Sequence, residues 1–165
     1  MSDTKTIEVQ QFVAAPTGRV FAFLTDPRHH VEIDGSGLVK GAESGPITEA
    51  GQVFVMSMHR DDLGHYRTVN TVTEFEPGTS FGWAPNLDRS HQCQLVDMVA
   101  AMNMTTGGHT YTYRLREVDG GTEVTQIYDW SEAKDPQFLT FCPFVSREQL
   151  ADTLANLARA VEGAS

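Results

Sequence analysis

Basic residues are scarce: 12 Lys+Arg stand against 22 Asp+Glu, a formal net charge of −10 over 165 residues. A surface of that sign repels phosphate backbones and anionic headgroups, so neither nucleic-acid binding nor stable membrane association is expected. Cysteine is nearly absent. Cys93 and Cys142 stand far apart with no CxxC pair, which argues against a disulfide framework and for reduced thiols in a cytoplasmic protein. No stretch approaches the roughly 20 apolar residues needed to cross a bilayer. The start, Met1-Ser2-Asp3-Thr4-Lys5, has no apolar segment behind a basic end, so no secretory leader is expected. Repeats, low-complexity tracts and Pro/Gly/Ser-rich linkers are also missing. One domain spanning residues 1–165 is the expectation. Nucleophile elbow, phosphate loop, HEXXH and paired carboxylates at a defined spacing are absent too. No cofactor is expected.

What is present alternates with the period of strands. In residues 5–13, Ile7, Val9, Gln11 and Val13 share one face. Ala15-Pro16 breaks this strand and opens a short helix with Pro16 in its first turn and an apolar stripe of Val20, Phe21 and Leu24. Asp26-Pro27 reads as N-cap and first residue of a second short helix ending near Val31. Further strands are expected over 38–42, 52–59, 66–75, 80–84, 109–117 and 122–130, punctuated by 61–64, Pro77-Gly78 and Asp119-Gly120-Gly121. Short turns between consecutive strands imply an antiparallel meander.

The period then changes. Ser146 with Gln149 makes a capping box, after which Leu150, Leu154, Leu157 and Val161 recur at helical spacing up to Gly163. A helix with one apolar face needs a sheet to lie against. The fold class is therefore α+β, a curved antiparallel sheet around a long C-terminal helix, with two short helices after the first strand.

Certain residues carry a family likeness: Ala15-Pro16 with Val20-Phe21, Asp26-Pro27, Gly51 with Phe54, the run 72–77, Trp83, and the run 120–125. Over residues 5–163 the chain resembles the START-like, or Bet v 1-like (SRPBCC), superfamily, closest to its polyketide cyclase/dehydrase and lipid-transport branch. The resemblance implies a helix-grip fold with a cavity between sheet and helix, and no shared catalytic motif. One departure is a longer connection between Trp83 and the strand near His109. Within it Leu95, Met98, Val99 and Met102 are spaced for a short amphipathic helix. That helix packs on the domain, forms a lid over a cavity mouth, or serves a homodimer contact.

Alternation nominates the inner face. Phe54, Met56 and Met58 share it on one strand, and Tyr66, Thr68 and Asn70 on the next. Phe81 and Trp83 follow, then Tyr111 and Tyr113, then Tyr128 and Trp130 alongside Gln126. Leu150 and Leu154 face them from the helix. Aromatic and Met walls bearing a few polar groups match the makeup of a hydrophobic small-molecule pocket. A carrier of a lipid, fatty acyl or polyketide-like ligand is the leading reading, and a cyclase or dehydratase using the same pocket is the alternative. A third reading is an interaction protein with a collapsed cavity. For catalysis, His29-His30 would be oriented and made more basic by Glu32 or Asp34. The cluster His59, Asp61, Asp62 and His65 reads as solvated charge on a turn, and no metal site is assigned. Phe138, Phe141 and Phe144 either plug the barrel end or line a second opening.

Overall fold

A computed structural model of the chain describes residues 4–163. Met1, Ser2 and Asp3, on which the leader expectation rests, lie outside the described residues. Strand β1 (Thr6–Val13) buries Val9 and Val13 between exposed Glu8, Gln10 and Phe12. Pro16 sits one position earlier than expected, as N-cap of α1 (Thr17–Leu24), whose Val20, Phe21 and Leu24 are buried. Asp26 caps the next turn, its Oδ1 accepting the Arg28 N–H at 3.1 Å, with Pro27 opening a 3-10 turn (Pro27–His29). The chain continues into α2 (His30–Ile33) rather than stopping at Val31, because His30 and Ile33 are both drawn into the interior.

Six more strands follow: β2 (Val39–Ala42), β3 (Val53–Arg60), β4 (Gly64–Glu76), β5 (Ser80–Leu87), β6 (Thr110–Val118) and β7 (Gly121–Asp129). They form one curled, wholly antiparallel sheet in the order β1-β7-β6-β5-β4-β3-β2. The β6–β7 hairpin closes through Asp119-Gly120 alone, with Val118 opposite Gly121 and Gly120 at φ +82. Only a residue tolerant of positive φ suits that tight turn.

Strand β5 outruns its expected end at Ala84. Its pairing with β6 stops at Trp83, while its pairing with β4 continues to Leu87. Beyond Trp83 one side of β5 is a free edge, where the missing N–H of Pro85 breaks no ladder bond. The sheet therefore parts between β5 and β6 at this end, where Thr106 Oγ1 donates to Asn86 Oδ1 at 2.6 Å, while α3 (Gln94–Ala101) packs on β4.

After α4 (Pro136–Leu139), helix α5 (Arg147–Glu162) starts with the expected capping box: Ser146 Oγ accepts the Gln149 N–H at 3.1 Å and Gln149 Oε1 accepts the Ser146 N–H at 2.9 Å. Leu150, Leu154, Leu157 and Val161 are buried against the sheet, each leucine stabilising by about 1.5–3 kcal/mol. Thr153 Oγ1 accepts the Gly35 N–H at 2.9 Å, and Asn156 Nδ2 donates to the Ile33 carbonyl at 3.1 Å. These bonds lash α2 to α5. Among the described residues no helix is long and apolar enough to cross a membrane.

Candidate functional site

Between the concave face of the sheet, α5 and α3 lies a cavity of about 170 Å³. A single buried water needs only about 10–15 Å³. The space is therefore an order of magnitude beyond one solvent molecule, and the core is not filled.

The strands build most of the wall. Met56 and Met58 come from β3; Tyr66, Thr68 and Asn70 from β4; Trp83 from β5; Tyr111 and Tyr113 from β6; Leu150 closes the α5 side. Five other residues of the sequence-nominated set lie off the wall. Phe54 and Phe81 are fully buried and pack on each other and on Trp83, with ring centroids 5.3–6.5 Å apart, under His30. They share the inward face, but α2 covers that end of the sheet. Leu154, one turn past Leu150, is in the solid core. Tyr128 stacks on Tyr111 at 4.6 Å and packs on Trp130 at 4.9 Å, so both belong to the layer behind the wall.

The wall also holds residues beyond the expected ligand contacts, one of which, Gln126, alternation already put on the inner face. Gln126 lies beside Tyr113 on β7, and His109 shares the face of Tyr111 and Tyr113 by simple alternation. Extending the period two residues back from Tyr111 would have found His109. Phe138, Phe141 and Phe144 line this same cavity rather than a second opening. From α3 come Leu95, Met98 and Val99, but Met102 is 41% exposed. The helix ends at Ala101, Asn103 takes φ 52, and the chain swings Met104 back inside instead, its N–H donating to the Val99 carbonyl at 3.0 Å. The covering segment is tied down by Arg89 to the Met104 carbonyl (3.0 Å) and by Gln137 to the Met102 carbonyl (3.0 Å).

Burial sets the electrostatics. The Tyr66 phenol is pushed up to about 12, and those of Tyr111 and Tyr113 rise as well, chiefly through desolvation. All three stay protonated. His109, 7% exposed, is pushed down to about 4 by burial, and its Nδ1 has no hydrogen-bond partner among the described residues. It is packed among Tyr111, Phe138 and Phe144 at 5.4–6.0 Å.

His30 corrects an expectation. No carboxylate orients it: its Nε2 lies 2.8 Å from the Leu24 carbonyl, which only accepts, so Nε2 carries the proton. Its basicity falls, because desolvation outweighs the opposing carbonyl bond and the charge of Asp34. The Asp34 carboxylate instead accepts from the Ser36 N–H and hydroxyl and from the Val39 N–H. His29 stacks on Phe23 at 4.2 Å, away from the cavity wall.

The interior is thus mostly apolar with a few polar groups, and two charged residues reach its wall. Its charged neighbours are half-buried: Asp34, and Arg60, which pairs with Asp62 at 2.8 Å and lies 6.0 Å from the Phe141 ring centroid. On the β3–β4 turn, His59 contacts Asp61 at 3.4 Å while His65 packs edge-on to His91. Among the described residues no group of three or more His, Cys, Asp or Glu is placed to hold a metal ion. The arrangement suits an apolar molecule with few polar groups.

A sheet gripping a terminal helix around an apolar cavity defines a helix-grip, hydrophobic-ligand-binding fold. The family model for polyketide cyclase / dehydrase and lipid transport proteins matches residues 4–162, and the chain belongs to that family. An uncharacterized protein of Mycobacterium tuberculosis strain H37Rv is 31% identical over 102 residues, which are 61% of this chain and 44% of that protein. A second, from strain CDC 1551, is 41% identical over 66 residues, 39% of this chain and 29% of its own length. The matched region thus spans less than half of these curated relatives. Among solved structures, protein Ms6760 of Mycobacterium smegmatis has a TM-score of 0.69 at 18% identity, covering 99% of this chain and 94% of that one. DynU16, from the dynemicin biosynthetic locus, has a TM-score of 0.60 at 15% identity, covering 96% of this chain and 47% of that one. At these identities the likeness is one of fold.

Proposed function

We propose that the chain binds a hydrophobic small molecule of lipid, fatty acyl or polyketide-like kind in this cavity and carries it, residues 1–165 acting as one cytoplasmic domain without stable membrane association. The observation that supports this reading is the unfilled space itself, walled by aromatic and Met side chains with uncharged polar groups among them. Family membership agrees with it. The nominated residues Met56, Met58, Tyr66, Thr68, Asn70, Trp83, Tyr111, Tyr113 and Leu150 would touch the ligand. Phe54, Phe81, Tyr128, Trp130 and Leu154 would support them from behind. The test is native mass spectrometry of the purified protein, organic extraction, and titration with fatty acids and aromatic polyketides. A co-purifying apolar molecule, or binding at micromolar concentration, is the expected result. Neither one appearing would sink the proposal.

A second reading, a cyclase or dehydratase acting in the same pocket, is favoured by two neutral histidines on the wall, His30 and His109. Each offers an unprotonated imidazole nitrogen to take a substrate proton, although burial weakens both as bases. Replacing each by Phe would abolish turnover but not ligand binding if this reading holds. Unchanged turnover in both variants would dismiss it.

A further inference from the structure

The wall of the cavity holds an acceptor that none of the described residues satisfies. Gln126 lines the cavity, is 3% exposed, and its Oε1 has no hydrogen-bond partner. Folded proteins rarely leave such a group buried and unpaired. Gln126 stands directly opposite Tyr113 in the β6–β7 register. The Tyr113 phenol, pushed up by desolvation, keeps its own proton to give. An acceptor and a donor therefore sit side by side. Asn70 adds to the acceptor character: its Nδ2 donates to the Phe54 carbonyl (3.1 Å) and to the Thr68 carbonyl (3.3 Å) and hydroxyl (3.2 Å), leaving its carbonyl oxygen for a ligand.

We propose that the ligand is a neutral apolar alcohol or phenol whose hydroxyl donates to Gln126 Oε1 and accepts from the Tyr113 hydroxyl. This rests on the hydrophobic-ligand reading above and narrows it. A carboxylate has no proton to give Gln126 Oε1 and would face an acceptor with an acceptor. The cation on the cavity wall, Arg60, is already paired with Asp62. A plain hydrocarbon would bury Oε1 without relief.

The experiment is calorimetric titration at neutral pH with three probes of one shape: β-naphthol, naphthalene and β-naphthoate. The wild-type protein should bind β-naphthol about tenfold more tightly than naphthalene, the yield of one to two net hydrogen bonds, and more tightly than β-naphthoate. Gln126→Met, close in shape but without the acceptor, should erase the preference while still binding naphthalene, which also reports an intact fold. Tyr113→Phe removes the phenol alone and should reduce the preference. Equal binding of β-naphthol and naphthalene by the wild-type protein would overturn the hydroxyl assignment and leave the cavity reading standing, as would a preference that survives both substitutions. Failure of all three probes to bind would overturn both.

Discussion

The Tyr128 hydroxyl accepts the backbone N–H of Phe144 at 2.9 Å, joining the C-terminal end of β7 to the phenylalanine-rich connection that lines the cavity. The same side chain stacks on Tyr111 at 4.6 Å. Tyr128→Phe leaves the Phe144 N–H without its acceptor at a buried residue. The expected loss is about 1–3 kcal/mol of unfolding free energy, measured by urea denaturation. A change within error would mean that water replaces the phenol oxygen at no cost.

Acidification should destabilise the fold before its carboxylates titrate. His109 titrates near 6.5 in the unfolded chain and at about 4 in the folded one. Between those values the unfolded state holds a proton that the folded state refuses. Stability is therefore complete above the unfolded value and falls as pH drops through this window. The gap corresponds to roughly 3 kcal/mol. His30 is shifted in the same direction. Asp26, Asp88 and Asp135, whose folded pKa values are depressed, lose their contributions only below 3.8. Urea midpoints across pH 7 to 4 should fall for the wild-type protein and less steeply for His109→Phe. Parallel curves would refute the assignment.

Gly35 marks the closest approach of the α2 loop to α5. A Cβ there would meet the Gln149 carbonyl oxygen and stand 2.8 Å from the Asp152 Cβ. Gly35→Ala should cost about 1–3 kcal/mol through overpacking. Gly45→Ala is the control, since a Cβ at Gly45 meets nothing within 4 Å. Thermal denaturation of the two variants side by side separates a steric cost from a general glycine effect.

Trp83 can report occupancy. The chain has 2 Trp, so Trp130→Phe leaves Trp83, on the cavity wall 5.2 Å from His30 and 5.6 Å from Tyr111 by ring centroids, as the single fluorophore. Addition of decanol, which does not absorb, should shift its emission to the blue as the surroundings become less polar. An unchanged spectrum at saturation would place the ligand elsewhere.

Local signals were legible where one short segment settles its own conformation. Asp119-Gly120 closes the hairpin, Ser146 and Gln149 cap α5, and Pro27 behind Asp26 opens the short turn, each because the needed partner lies within a few residues. Strand alternation likewise put Met56, Met58, Tyr66 and Trp83 on the inner face. It had no means of telling Phe54 from Met56, or Phe81 from Trp83. Both members of each pair point inward, and only the position of α2 over the sheet seals one and leaves the other on the cavity. Pro85 reads as a strand breaker until the free edge of β5 is seen.

A scarcity of positive charge and an alternating apolar pattern were enough to dictate an acidic α+β chain with an antiparallel sheet and a capped terminal helix, because period and capping are properties of neighbouring residues. Tertiary structure alone decided that a cavity remains, that Met104 replaces Met102 on its wall, and that His30 answers to a backbone carbonyl rather than a carboxylate. Those outcomes depend on which distant segments meet and on how completely their side chains fill the space between them. Burial likewise holds the cavity's tyrosines and His109 in their neutral forms, which no local pattern in the sequence reveals.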